Sequence, residues 1–340
     1  MGEGSPLSVN AIRVWLKSVF PGILVCLTIS MAATFLSDHY GGPVMLFALL
    51  LGMAFHFLSE EGPCQHGIQI ASKTVLRIGV ALLGVRITFG QIADLGEVTI
   101  IGVILAIAAT ILFGWGFAQL FKLKPSQGLL SGGAVAICGA SAALALSAVM
   151  PKNKHSENNT IVTVVAVTTL STVAMVIYPL ITQYLGLSPI DSGVFLGGTI
   201  HDVAQVVGAG YSLSDETGDV STVVKLLRVT MLVPAVVIFS LIFSARNKQD
   251  GEAGKSGFLP PLFLIGFVGF VILNSFELLP VVATESLTDL SRACLVTAIA
   301  GLGMKTSLKE LSKVGWPIVG LVISETVFIG LFIYAMIAFM

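Results

Sequence analysis

Apolar residues run along this chain in long stretches, and charged residues are largely confined to the gaps between them. About eleven stretches are each roughly long enough to cross the ~30 Å hydrocarbon core of a bilayer as helices. They cover residues 19–37, 43–58, 74–89, 98–121, 126–150, 159–184, 190–211, 222–244, 259–279, 286–304 and 314–339. The second and third are short for a crossing. Arg13 and Lys17 precede the first stretch, as in a secretory leader, but no small-x-small cleavage site follows. An uncleaved helix is expected there.

Composition agrees with the pattern. Of all residues, 55% are hydrophobic and 11% charged, where a soluble domain carries about 25% charge. The expected fold class is an all-α polytopic membrane protein with the lipid bilayer as its surroundings. A net charge of −1 leaves no footprint for a nucleic acid partner. Cys26, Cys64, Cys138 and Cys294 show neither paired nor metal-ligand spacing. They read as small apolar residues, Cys138 being the exception to watch. No metal, no cofactor and no enzymatic nucleophile–base pair is expected.

Lys and Arg set the expected orientation. With the N-terminus cytoplasmic, Arg13, Lys17, Lys73, Arg77, Lys122, Lys124, Arg246, Lys248, Lys255, Lys305, Lys309 and Lys313 fall on the cytoplasmic side, twelve of the eighteen. Lys152 and Lys154 fall outside, against the trend. The C-terminus is then outside.

The second half of the chain echoes the first. Leu51-Gly52-Met53-Ala54-Phe55-His56 recurs as Leu196-Gly197-Gly198-Thr199-Ile200-His201. Val75-Leu76-Arg77-Ile78 recurs as Leu226-Leu227-Arg228-Val229, and Ala136-Ile137-Cys138-Gly139 as Ala298-Ile299-Ala300-Gly301. The matches are collinear and their offsets grow smoothly. A competing match of Leu83-Gly84 to Leu302-Gly303 breaks the order and leaves the fifth stretch unpaired. The expected organisation is 1–40 as a tail and extra helix, 41–187 as a first five-helix repeat and 188–340 as a second. Five spans per copy invert the second copy in the bilayer, the build of many secondary transporters. The polar linker Ala245–Ser256 falls inside the second repeat and is no domain boundary.

Glycine and other small residues fill the fifth stretch at mid-membrane depth, from Ser131 through Cys138, Gly139 and Ser141. The tenth carries Gly301 and Gly303 at the matched depth. Small residues permit close helix crossing. They also permit unwinding where the backbone lines a cavity, and two breaks at repeat-related positions point to a midplane binding site. Broken helices expose N–H groups that attract anions. Neither glycine-rich stretch carries Asp or Glu, which favours an anion over a cation.

Four polar residues in the seventh and eighth stretches complete the candidate site. His201 and Gln205 are one turn apart, with Asp202 pointing elsewhere. His titrates near neutrality and is the expected carrier of a coupled proton. Lys225 and Arg228 share a face at i and i+3, and Arg suits bidentate capture of sulfate, sulfonate or carboxylate. The plain alternative is that they snorkel at the membrane surface. Arg86 and Arg292 read as anchors, Asn274 and Glu325 as membrane-embedded polar groups, and Asp215, Glu216 and Asp219 as a solvated loop.

Cys138-Gly139-Ala140-Ser141-Ala142, the run from Gly198 through His201-Asp202 to Gly210, and Val224-Lys225-Leu226-Leu227-Arg228-Val229 resemble the signature segments of the YeiH family. These are bacterial inner-membrane proteins described as sulfate exporters, distantly grouped with bile-acid:sodium symporters. The resemblance covers nearly the whole chain after residue 15. It implies a panel-plus-core fold with two crossed discontinuous helices and an elevator-type motion.

The expected function is therefore secondary active transport of a small anion: sulfate, sulfite or an organosulfonate. The substrate-binding candidates are Lys225, Arg228, His201, Gln205, Ser131, Cys138, Gly139, Ser141, Gly301 and Gly303, with His201 also the coupling residue. Stretches 2, 3, 7 and 8 are expected to form the panel, and 4–6 and 9–11 the core. A proton is the expected coupling ion, with sodium the alternative, and a homodimer the expected assembly. A sodium-coupled organic-acid carrier is the runner-up. A cation/proton antiporter and a membrane-embedded enzyme fit the residues less well.

Overall fold

The hydropathy pattern folds as helices throughout. The computed structural model describes residues 9–40, 44–151, 156–244, 262–306 and 315–339, and every element among them is helical. In chain order these are α1 (Val9–Tyr40), α2 (Val44–Ala54), α3 (Phe57–Glu60), α4 (Gln65–Ile70), α5 (Leu76–Leu83), α6 (Phe89–Asp94), α7 (Gly96–Phe117), α8 (Pro125–Ala136), α9 (Ala140–Val149), α10 (Ser156–Tyr184), α11 (Pro189–Thr199), α12 (Val203–Tyr211), α13 (Asp215–Thr230), α14 (Leu232–Ser244), α15 (Leu262–Ser275), α16 (Val281–Lys305) and α17 (Trp316–Ala338). The linker Ala245–Ser256, with Arg246, Lys248 and Lys255, and the residues Lys152, Lys154, Lys309 and Lys313 lie outside the described residues.

Seven helical runs are long and apolar enough to cross a membrane: Trp15–Tyr40, Gln65–Arg86, Gly96–Phe121, Asn159–Tyr184, Asp215–Phe243, Val281–Lys305 and Trp316–Ala338. The other four stretches of the pattern are not single long helices. Residues 43–58 and 259–279 contain α2 and α15, of 11 and 14 residues. Residues 126–150 and 190–211 each form two short helices with non-helical backbone between them.

Helix starts follow local chemistry. Ser188 caps α11 by accepting from Asp191 N, with Pro189 in the first turn, where its missing N–H costs nothing. Ser214 accepts from Thr217 N to cap α13. Asp215, Glu216 and Asp219, expected in a loop, therefore lie in the first turns of α13. Carboxylates there complement the positive end of the helix dipole.

The helices form two compact units. One holds those up to Arg86 together with Gly266–Thr306; the other holds Ile87–Ile265 together with α17. This corrects the expected panel and core. Stretches 7 and 8 cluster with 4–6 and 11, while 10 and most of 9 cluster with 1–3. Compactness and internal repetition are separate properties, since one repeat can supply helices to both units.

In the first unit α16 packs on α2 and α5. A Cβ at Gly303 would lie 2.4 Å from Leu49 O, and one at Gly52 would lie 2.3 Å from Ala300 O. Side chains would hold these two backbones apart. His56 Nδ1 and Ser59 Oγ both reach Met304 O, at 2.6 and 2.8 Å, near the end of α16. Arg77 and Arg292 are exposed, as anchors would be.

In the second unit α17 packs against α7, α8, α10 and α11, and α13 against α11 and α12. The pairs α8–α9 and α11–α12 both belong to this unit.

Candidate functional site

Two helix interruptions define the site. The first is Ile137–Gly139, between α8 and α9. Gly139 has φ +64° and ψ −126°, a conformation that favours glycine. The second is Ile200–Asp202, between α11 and α12, where Ile200 and Asp202 are extended, with ψ 139° and 141°. The two breaks are neighbours: a Cβ at Gly139 would lie 3.5 Å from the carbonyl oxygen of His201.

Each break leaves one helix end with unpaired carbonyls and another with unpaired N–H groups. Lys225 and Arg228 take the carbonyls. Lys225 Nζ donates to Ile137 O at 2.7 Å and to Ile200 O at 3.0 Å. Arg228 donates through Nε to Ala136 O at 2.8 Å, through Nη2 to Val135 O at 2.7 Å, and through Nη1 to Gly197 O and Ile200 O at 2.9 and 3.0 Å. Both side chains are fully buried, so neither snorkels. A buried charge persists only when its surroundings compensate it; here the negative ends of α8 and α11 do so.

The N–H ends differ. At α12, Asp202 Oδ1 accepts from Ala204 N at 2.8 Å, and Ser171 Oγ on α10 accepts from His201 N and Asp202 N at 3.2 and 3.1 Å. At α9 the capping position is Gly139, which has no side chain, and the Cys138 thiol just before it meets the first-turn amide of Ala142. Three of the four ends at the crossing are thus covered by side chains. The fourth, the positive end of α9, is met only by a thiol, a weak acceptor.

His201 and Gln205 do not share a face, because α12 begins only after the break. The His201 ring lies 3.0 Å through Nε2 from Thr326 Oγ1 on α17. Thr326 gives its own proton to Val322 O, so the imidazole Nε2–H is the donor. Nδ1 is then buried without a partner. Gln205 Nε2 donates to Thr172 Oγ1 on α10 at 2.8 Å. Thr172 in turn donates to Thr168 O, which fixes the amide orientation and leaves Gln205 Oε1 buried without a partner.

Of the remaining candidates, Cys138 and Gly139 lie in the first break, and Ser141 is an exposed residue in the first turn of α9. Ser131 lies 6 positions before Ile137, inside α8, and its hydroxyl donates to Glu325 on α17. Gly301 and Gly303 belong to the other unit, in an α16 that runs unbroken from Val281 to Lys305. A Cβ at Gly301 would lie 3.2 Å from Ala71 Cβ and 3.3 Å from Cys26 Sγ. The expected break of the tenth stretch is therefore a close-packed helix, and the second break lies in the seventh stretch. Asp202, set aside in the sequence, sits in that break. The sequence did not single out Ser171, Thr172 or Thr326. The run Thr168-Thr169-Leu170-Ser171-Thr172 within an apolar stretch was the available signal.

A family model described as "Conserved hypothetical protein 698" matches residues 21–322. A UPF0324 membrane protein of Chlorobaculum tepidum is 56% identical, covering 98% of this chain and 93% of its own length. One from Rhizobium meliloti is 52% identical over 96% of this chain and 94% of its own. The UPF0324 membrane protein TauZ of Paracoccus denitrificans is 49% identical over 94% and 95%.

Proposed function

The chain belongs to the family described as conserved hypothetical protein 698, and we propose that it works as a secondary active transporter of small anions. The carrying observation is the charge balance at the paired breaks. Arg228, always charged in proteins, and Lys225 cover the two carbonyl ends, and the N–H end of α9 has a glycine at its capping position and only the Cys138 thiol beside it. A tetrahedral oxyanion suits such a pole. Arg228 already makes four hydrogen bonds to carbonyls, so it acts mainly through its field. The α9 amides, Ser141 and a remaining Lys225 donor make the contacts.

Sulfate, sulfite or a sulfonate is the substrate class. The relatives named TauZ carry a taurine-related name, which fits a sulfonate and the YeiH resemblance. Bacterial inner-membrane residence, a cytoplasmic N-terminus, inverted repeats, export and elevator-type motion belong to the same reading. The coupling ion is a proton; among the described residues His201 and Glu325 are the titratable side chains with a buried atom that lacks a partner. Sodium coupling is the second reading, favoured by the unpartnered Gln205 Oε1 and by Asp202 in the break.

Thermal-shift titration of purified protein tests both. The panel is sulfate, sulfite, taurine, sulfoacetate and simple carboxylates, each at several pH values with and without sodium. Stabilisation by sulfur oxyanions in sodium-free buffer is expected. Stabilisation by carboxylates that requires sodium would replace this reading with the second.

A further inference from the structure

Glu325 is not among the groups that hold the breaks, yet it has no exposed surface. It lies on α17 where the backbones of α7 and α8 meet. A Cβ at Gly128 would lie 1.9 Å from Gly114 O, and a Cβ at Gly114 would lie 2.4 Å from Glu325 Oε1. The missing side chain at Gly114 leaves the room that the carboxyl fills. Ser131 Oγ donates to Oε1 at 2.7 Å, and Oε2 is buried without a partner.

An ionisable group inside a membrane is a functional site by default. A hard cation gathers about six oxygens or more, and one carboxyl with one hydroxyl falls well short of that. The neutral acid matches what is present. Oε1 is then the carbonyl that accepts from Ser131, and Oε2 carries the proton.

Glu325 is also placed to sense the crossing. Ser131 is one turn before Val135, a rise of about 6 Å along α8. Val135 O is bonded by Arg228 Nη2. Glu325 and Arg228 thus bond the same helix one turn apart, at Ser131 and at Val135, and the neutral acid adds no negative charge to compete with an incoming anion. Among the described residues, few other titratable groups belong to the elements packed on α17. Glu97 and Asp191 lie in the first turns of α7 and α11, Tyr178 and Tyr184 on α10, and Lys122 and Lys124 between α7 and α8. His201 reaches α17 through Thr326.

Resting on the anion-transport reading, we infer that Glu325 is the proton-binding site of this carrier and that its protonation raises the affinity for the anion. The step is Glu325–COO⁻ + H⁺ → Glu325–COOH, with the proton exchanged with bulk water. By linkage the bound anion favours the proton in return. Proton and anion then travel together.

Infrared difference spectra and sulfate and taurine titrations on purified protein test this. A protonated-carboxyl C=O band should be absent from Glu325→Gln, which keeps the acceptor for Ser131. The same band should move to higher frequency in Ser131→Ala, where the carbonyl loses its donor. Wild-type affinity for the anion should rise about tenfold or more as pH falls, within the usual range of coupling between sites. Glu325→Gln should hold the low-pH affinity at every pH. A missing Glu325-dependent band overturns the inference even if anions bind. So does pH dependence that survives in Glu325→Gln, or a sodium-induced stabilisation that requires Glu325. If the band is present and neither anion stabilises the protein at any pH, the anion reading fails, and the linkage with it, while the proton site stands.

Discussion

Lys225 and Arg228, one turn apart on α13, both donate to the carbonyl oxygen of Ile200, each at 3.0 Å. That oxygen is the first acceptor beyond α11, just where the chain leaves the helix. The same two side chains reach Val135, Ala136 and Ile137 at the end of α8. A single face of α13 thus ties two helix ends together, and the first predictions follow from it.

Arg228→Ala should destabilise the protein, at about 1–3 kcal/mol for each buried carbonyl left without a donor. Carbonyls of Val135, Ala136 and Gly197 would lose their donor. Arg228→Lys should recover only part, because an ammonium has three donors and no planar fork to span both helix ends. Chemical denaturation of the variants in detergent measures this. An unchanged midpoint for Arg228→Ala would mean that the guanidinium does not hold the breaks.

Gly139→Ala should cost about 1–3 kcal/mol through backbone strain alone, since the added Cβ would meet nothing closer than 3.5 Å. Gly116→Ala on α7, where the Cβ meets open space, should be neutral or mildly stabilising. Melting temperatures of the two variants give the ranking, and an Ala at 139 as benign as one at 116 would argue against the positive φ of the break.

In the other unit, Gly52→Ala and Gly303→Ala should each lower the melting temperature more than Gly139→Ala does. Their Cβ atoms would meet backbone at 2.3 and 2.4 Å, and backbone cannot move aside as a side chain can. The double variant should cost less than the sum, since both changes force apart the same pair of helices.

His201→Gln retains a donor for Thr326 and removes titration at this position. It should cost about 1 kcal/mol, the value of one hydrogen bond. It should also leave the pH dependence of sulfate affinity in place. Loss of that dependence in His201→Gln, with Glu325→Gln unaffected, would return the coupled proton to the histidine.

Much of this molecule is legible in its hydropathy. Long apolar stretches commit the chain to helices in a bilayer, because backbone groups have no other partner there. The residues of the candidate site were also visible in the sequence: His201, Lys225 and Arg228 stand out as costly residues in apolar surroundings, and all three are buried. What the sequence does not encode locally is which glycine-rich stretch unwinds. Residues around Gly139 and Gly301 look alike, but Gly139 takes a positive φ, while Gly301 packs beside Ala71 and Cys26 in an unbroken helix. The break at Ile200–Asp202 has no glycine in it at all. Hydropathy averages over some eighteen residues and passes across a three-residue gap between two short helices. The partners of Lys225 and Arg228 are equally hidden in the sequence. Every residue carries a carbonyl, and only the tertiary path of the chain decides which are left free at a helix end and which basic side chain is folded against them.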